Sequence, residues 1–217
     1  MSEKNLGYKF CDKFVQDFEN VVKNPIVSKS SVYYTGVDLG TACVVVAVLD
    51  ENYKPVAGAY KYADVVRDGM VVDYIGAIDI VRKMKQDIEE KLGAELIYGA
   101  AAIPPGTDAL DSGAVKNVVQ AAGFELTSVL DEPTAANKVL KIKNGAVVDI
   151  GGGTTGISIL KDGKVVYIAD EPTGGTQFSL VVSGAYKMPF EEAELYKRNP
   201  ENHKDLLPVL KPVVEKI

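Results

Sequence analysis

The sequence predicts a mixed α/β protein built from two similar units that face each other across a cleft. Three observations predict it. The elements run βββαβαβα, and that order begins again near residue 145. The stretches "VDLGTACVVVAVL" at 37–49 and "VDIGGGTTGISIL" at 148–160 share one pattern of strand, aspartate, aliphatic residue, glycine, threonine and alternating strand. Three consecutive glycines break the second stretch, where a Gly run weakens a strand and marks a close approach to the backbone.

Residues 4–22 place Leu6, Phe10, Phe14, Phe18 and Val21 at helical spacing. They predict an N-terminal helix whose phenylalanine stripe serves packing, with "KNPIVSKSS" closing a leading segment of residues 1–30. The runs "SVYYTGVDLG", "ACVVVAVLD" and "KPVAGAYKY" are rich in β-branched and aromatic residues and predict three strands in two hairpins. An amphipathic helix through "IGAIDIVRKMKQDIEEKLG" ends at Gly93. Next, "ELIYGAAAIP" reads as a buried strand and "TDALDSGAVKNVVQAAG" as a helix stopped by Gly123. "FELTSVLDE" is a strand and "PTAANKVLKI" a helix with Pro133 in its first turn, which completes a first unit at 31–143. In the second, 144–217, "AVVDIGG", "TGISILK" and "KVVYIADEP" predict three strands, the last two joined by the tight turn "KDGK". Helices follow at 175–187 and 190–198, and "HKDLLPVLKPVVEKI" reads as one more, so the second unit is expected to be truncated relative to the first.

The 217 residues carry a formal net charge of -6, which argues against nucleic acid or an anionic membrane as a partner, since both need a basic face. The opening "MSEKNLGYKFCDKF" lacks the apolar core of a signal peptide, and the longest apolar run, "CVVVAVL", is too short to span a bilayer. A cytoplasmic protein is expected. Cys11 and Cys43 lack metal-ligand spacing and read as unpaired thiols, and His203 reads as a surface residue.

Glycine turns let backbone N–H groups converge on an anion, and Thr41, Thr154 and Thr155 add hydroxyl donors beside them. Asp38 and Asp149 stand just before the turns, where they would repel a phosphate directly but could hold Mg²⁺ beside it. Neither turn fits GxxxxGK[ST] or GxGxxG.

The paired "DLGT" and "DIGGGTTGISIL", with "DEPTAA" at 131–136 between them, resemble the phosphate-1, phosphate-2 and connecting segments of the superfamily of actin, DnaK-type chaperones and sugar kinases. The likeness covers most of 33–198 and implies the duplicated, ribonuclease-H-like actin-type ATPase fold with a central nucleotide cleft. "ADVVRDGMVVDY" resembles the short segment that MreB, FtsA and PilM carry where DnaK has a larger insertion, and the whole sequence is most similar to the superfamily's ethanolamine-utilization family. The resemblance implies ATP or ADP with Mg²⁺ as cofactors. Asp38 and Asp149 would be the acids around the metal and attacking water, and Glu132 would orient water. Gly40, Thr41 and Ala42 would lie under one set of phosphates; Gly151, Gly152, Gly153, Thr154 and Thr155 under the other. Gly174 and Gly175 resemble the glycine pair before a helix that closes over the β-phosphate. Glu194, Lys197 and Arg198 match positions that touch adenosine. Taken alone, Glu132 also reads as a helix N-terminal acid, and the last three as a solvated charged face.

The sequence also departs from the chaperone pattern. Gly156 stands where a second aspartate is expected, residues 63–74 offer no clear equivalent of the catalytic lysine, and the GGxxxxPG-like adenosine turn is absent. Since phosphoryl transfer depends on positioned charge, nucleotide binding is implied more strongly than turnover. The expected role is a chaperone-like or assembly factor whose protein partners are ethanolamine-pathway enzymes or the shell of their microcompartment. A PilM- or FtsA-like nucleotide-switched scaffold, or a filament protein, is the alternative. A small-molecule kinase is disfavoured for want of a sugar-binding insertion.

Overall fold

The computed structural model describes residues 3–27, 29–67 and 69–217, with side chains from Lys9 onward. Alternation in "CVVVAVL" sets the first sheet: Val44, Val46 and Val48 point one way and are fully buried, while Val45 and Ala47 point the other way and are half-buried. Strands β1 (Tyr34–Leu39), β2 (Cys43–Leu49) and β3 (Pro55–Tyr62) form an antiparallel meander. β6 (Tyr98–Ile103) and β7 (Glu125–Asp131) extend it in parallel, giving the order β3-β2-β1-β6-β7. Helices α2 (Tyr74–Leu92) and α3 (Ala109–Ala121) cover the valine face with Val81, Ile88, Val118 and Val119. Each helix is capped as its sequence dictates. Asp73 accepts the Gly76 amide at the start of α2, and Gly93, at φ 65°, ends it. Between β3 and α2 lies a two-residue hairpin, β4 (Val66–Arg67) with β5 (Met70–Val71), too short for any periodicity to reveal.

Helix α1 (Glu3–Lys23) lies on β3 and touches α4 (Glu132–Leu140). The Phe18 ring covers Gly58, where a Cβ would sit 2.5 Å from it, Val21 is buried, and the Cys11 thiol meets the Val139 carbonyl at 3.6 Å. Phe10 stays 55% exposed against Phe14, so the stripe packs mainly through its C-terminal half. The Leu6 side chain lies outside the described residues. Phe18→Ala is expected to cost about 2–4 kcal/mol by emptying this contact, read as a lowered thermal midpoint. An unchanged midpoint would show that α1 is not anchored there.

The second sheet, in the order β10-β9-β8, is an antiparallel meander of β8 (Gly145–Ile150), β9 (Thr155–Lys161) and β10 (Lys164–Glu171). The "KDGK" turn has φ above zero at both central residues, 52° at Asp162 and 76° at Gly163, which suits a tight hairpin. Helices α5 (Gly175–Tyr186), α6 (Phe190–Arg198) and α7 (His203–Val214) pack around Val182, Ala193 and Leu206. As far as residue 217, the second unit thus repeats the meander and continues in helices. Parallel strands like β6 and β7 have no counterpart in it among the described residues.

The two meanders share their register. Asp38 stands opposite Val45 and Leu39 opposite Val44; Asp149 stands opposite Gly156 and Ile150 opposite Thr155. Each leaves a four-residue turn, 40–43 and 151–154. Among the described residues, no helix is long and apolar enough to cross a membrane.

Candidate functional site

Equal turn lengths set Gly40 equivalent to Gly151, Thr41 to Gly152, Ala42 to Gly153 and Cys43 to Thr154. The turns meet. A Cβ on Gly152 would lie 2.7 Å from the Ala42 Cβ and 2.9 Å from its amide nitrogen, and one on Gly153 would lie 2.6 Å from the Thr41 hydroxyl. Thr41 therefore touches the equivalent of Ala42, and Ala42 touches the equivalent of Thr41, the reciprocity of a two-fold axis between the units. Glycine is required because two backbones pass where side chains would collide. The Gly151 amide donates to the Thr154 carbonyl at 2.9 Å and closes its turn.

Beneath this contact is an inner compartment of about 140 Å³, lined by both turns with Asp38, Glu132, Asp149 and Pro104. Thr41, Ala42, Gly152 and Gly153 also border an outer compartment of about 750 Å³, walled by Tyr62, Arg67, Thr176, Lys197 and Arg198 among others. The size and the concave, mixed lining suit a small organic ligand.

Three carboxylates share the inner floor, and among the described residues no cation offsets their charge. Burial, helped by Asp149, pushes the Asp38 carboxyl up to about 6. Burial and the charges of Asp38 and Asp149 push Glu132 up to about 8, and burial also raises Asp149. Asp38 Oδ1 is buried with no hydrogen-bond partner. Such a group is costly to keep charged unless a positive ion completes it. Glu132 reaches the floor because Asp131 caps α4, accepting the Thr134 amide at 2.9 Å, and so sets the helix start at the strand end.

On the other wall, Lys197 spends its three protons inside the protein, donating to the Gly175 carbonyl at 2.8 Å, the Ser179 hydroxyl at 2.8 Å and Glu194 at 2.7 Å. Glu194 also takes a bond from Ser179 and one from Arg198 at 2.6 Å, and these contacts hold its carboxyl down at about 2 against the opposing effect of burial. Gly175 in turn donates to the Gly151 carbonyl and Thr176 to that of Gly152, each at 2.8 Å.

The structure thus brings Asp38, Glu132, Asp149, Gly40, Thr41, Ala42, Gly151, Gly152, Gly153 and Thr154 to the inner compartment, and Gly175, Glu194, Lys197 and Arg198 to the outer one. Thr155 and Gly174 do not line it. Thr155 is fully buried and donates to the Thr173 carbonyl at 2.7 Å, while Gly174 packs under the carbonyls of Gly151 and Gly152. The first amides of α5 are engaged by the glycine turn and by Gln177, which accepts from Gly174 at 2.9 Å, so they brace that turn. At Gly156 a Cβ would lie 3.0 Å from Pro105 and 3.2 Å from Pro133, which explains why no side chain stands there. Tyr62 and Arg67 escaped the sequence reading. Arg67 lies within "ADVVRDGMVVDY", where a basic residue in a short hairpin was the available signal; Tyr62 gave none.

The profile of the MreB/Mbl protein family matches residues 56–188. The ethanolamine utilization protein EutJ of Salmonella typhimurium is 50% identical over 184 residues, covering 85% of this chain; the chain spans 64% of the length of that relative. The crystal structure of EutJ from Carboxydothermus hydrogenoformans is 48% identical with a TM-score of 0.85, covering 99% of this chain and 78% of that one. MreB5 of Spiroplasma citri, in a crystal structure bound to ADP, shares the fold at 21% identity and a TM-score of 0.61, covering 78% of this chain and 62% of that one. By these likenesses the chain belongs to the EutJ family of ethanolamine-utilization proteins, within the MreB-like, actin-type ATPase superfamily.

Proposed function

We propose that this chain binds ATP and ADP with Mg²⁺ in its cleft and serves ethanolamine utilization as a nucleotide-dependent, chaperone-like assembly factor. Its protein partners in this reading are the pathway's enzymes or the shell of its microcompartment. The observation that carries the proposal is the face-to-face meeting of two equivalent glycine turns over Asp38, Asp149 and Glu132. The bound ADP of the related MreB5 fold supports the same guest.

The residues suit Mg²⁺. A hard cation takes oxygen ligands and keeps phosphate oxygens and water in its shell, and here two acids with raised pKa values, one with an orphaned buried oxygen, stand beside a phosphate-sized space. Asp38 and Asp149 would hold the ion, whose charge offsets the phosphates and the acids together. The Thr41 hydroxyl and the turn amides other than that of Gly151 bind phosphate oxygens, the Thr154 hydroxyl being engaged by Asp170 in the free protein, and Glu132 positions a water at the floor. Lys197 and Glu194 act through Gly175, keeping the second turn in shape, and Arg67 supplies a cation at the wall.

A second reading, a nucleotide-switched scaffold with little hydrolysis, is favoured by two features. An aspartate at position 156 would crowd Pro105 and Pro133, and Glu132, pushed up to about 8, carries a proton at neutral pH in the free protein, where it is a poor base.

Calorimetric titration with ATP, ADP and a non-hydrolysable analogue in Mg²⁺, followed by phosphate release from the same sample, separates the readings. Asp149→Ala is expected to weaken Mg-dependent binding by about tenfold or more, the scale of one lost charged contact. Binding with release supports the ATPase, and binding without release the scaffold. Failure of the intact protein to bind any of the three overturns the nucleotide reading.

A further inference from the structure

Besides the packing of α4 on β8 and β9, the two units meet where the glycine turn crosses Thr41 and Ala42, and again, through exposed side chains, at the outer compartment. At the mouth, Arg198 on α6 donates from a terminal nitrogen to the Tyr62 hydroxyl at the end of β3, 3.4 Å away, with its guanidinium 5.9 Å from the ring centroid. Both residues wall the outer compartment, so this contact bridges the opening by which a ligand would enter. Arg198 is not an isolated side chain. Its Nε is held by Glu194, Glu194 holds Lys197, Lys197 donates to the Gly175 carbonyl, and the Gly175 amide donates to the Gly151 carbonyl of the glycine turn. An unbroken chain of polar contacts therefore runs from Tyr62 in one unit to the phosphate-facing turn of the other.

We propose that Tyr62 and Arg198 are a positioning pair: they clasp the mouth of the cleft, part to admit its guest, and through Glu194, Lys197 and Gly175 hold the Gly151–Thr154 turn in its closed shape. The identity of the guest rests on the nucleotide reading above; the clasp does not. Tyr62 is 59% exposed and the Arg198 side chain 54%, so the contact is a weak one. A cation–π and hydrogen-bond contact at an exposed site shifts an open–closed equilibrium by about three- to fivefold. A clasp of that strength opens readily and still biases the cleft toward closure.

Hydrogen exchange on the ligand-free protein tests the clasp directly at the amides of Gly151, Gly175 and Thr176, which donate the bonds that brace the turn. About three- to fivefold faster exchange is expected at these amides in Tyr62→Ala and in Arg198→Ala, with a smaller change in Tyr62→Phe and none in Lys61→Ala. Unchanged exchange in Tyr62→Ala overturns the proposal. So does acceleration in Arg198→Ala alone, which would confine the effect to α6. In stopped-flow mixing with N-methylanthraniloyl-ATP and Mg²⁺, association should rise about three- to fivefold in Tyr62→Ala, because the clasp no longer has to part before entry. A rise in dissociation alone would make Tyr62 a simple contact and overturn the clasp. If wild type binds no nucleotide while the exchange result holds, the nucleotide reading fails and the clasp stands.

Discussion

Gly152→Val is expected to weaken Mg·nucleotide binding by about thirtyfold or more, and to do so without contact between the new side chain and the ligand. The added Cβ alone would sit 2.7 Å from the Ala42 Cβ and 2.9 Å from its amide nitrogen, against backbone that cannot rotate away. Relieving such overpacking costs about 1–3 kcal/mol, and the relief available is for the two turns to separate. In the nucleotide reading both turns face one phosphate chain, so separation removes donors from both sides at once. Gly184→Ala is the control: it lies in α5 with nothing within 4 Å of the added atom, and it should leave affinity unchanged while raising stability slightly. A second control is Gly152→Ala combined with Ala42→Gly, which removes the Cβ–Cβ clash but keeps the 2.9 Å approach to the amide nitrogen at 42, and should recover part of the affinity relative to Gly152→Ala alone. Calorimetry of the variants reads the result. Near-normal binding by Gly152→Val would mean that the turns do not meet in solution.

The second large effect concerns pH. Glu132, at about 8, and Asp38, at about 6, bind protons more tightly in the folded chain than in the unfolded one, where carboxyls titrate near 4. Between those limits the folded state holds protons that the unfolded state has released, so the free protein loses stability as pH rises from about 4 to 8. The contribution is fully present below the unfolded values and is lost as pH passes 6 and then 8. Glu132→Gln, which cannot ionise, is expected to remove the upper part of that fall and to leave the free protein more stable than wild type by on the order of 2–4 kcal/mol at pH 8.5. Denaturant midpoints at pH 5, 7 and 8.5 measure it. Parallel curves for wild type and variant would show that Glu132 is not the group responsible. Mg·ATP should stabilise wild type more at pH 8 than at pH 5, because it neutralises acids that are charged only at the higher pH.

Much of this was legible in the sequence because glycine and aspartate at turns state their purpose locally. "DLGT" and "DIGGGT" announced two tight turns between paired strands, and the order of elements along the chain followed from β-branched alternation bounded by Gly and Pro. "DEPTAA" placed Glu132 at a helix start. The reciprocal contact of Ala42 with Gly152 was not legible, since it joins residues 110 apart in sequence and depends on how the two units pack. Nor was the internal engagement of Lys197, which the resemblance made an adenosine contact and its spacing alone a solvated face; α5 placed against it takes up its protons. Thr155 reads as a donor beside its neighbour, yet strand alternation turns it inward to the Thr173 carbonyl. Tyr62, an exposed aromatic at a strand end, acquires its partner only from a helix 136 residues away.

The reciprocal meeting of the turns also bears on how this chain can evolve. Thr41 touches Gly153 and Ala42 touches Gly152, so the size allowed at a position in one half is set by its opposite number in the other. The two copies of the repeat cannot drift apart independently at these sites: a bulkier residue in one half is tolerated only after a smaller one has appeared across the axis, which fixes the order of viable substitutions. A library randomised jointly at positions 42 and 152 should keep glycine at 152 in most survivors, because a Cβ there meets the backbone at 42 as well as its side chain, and admit alanine at 152 chiefly where 42 has become glycine.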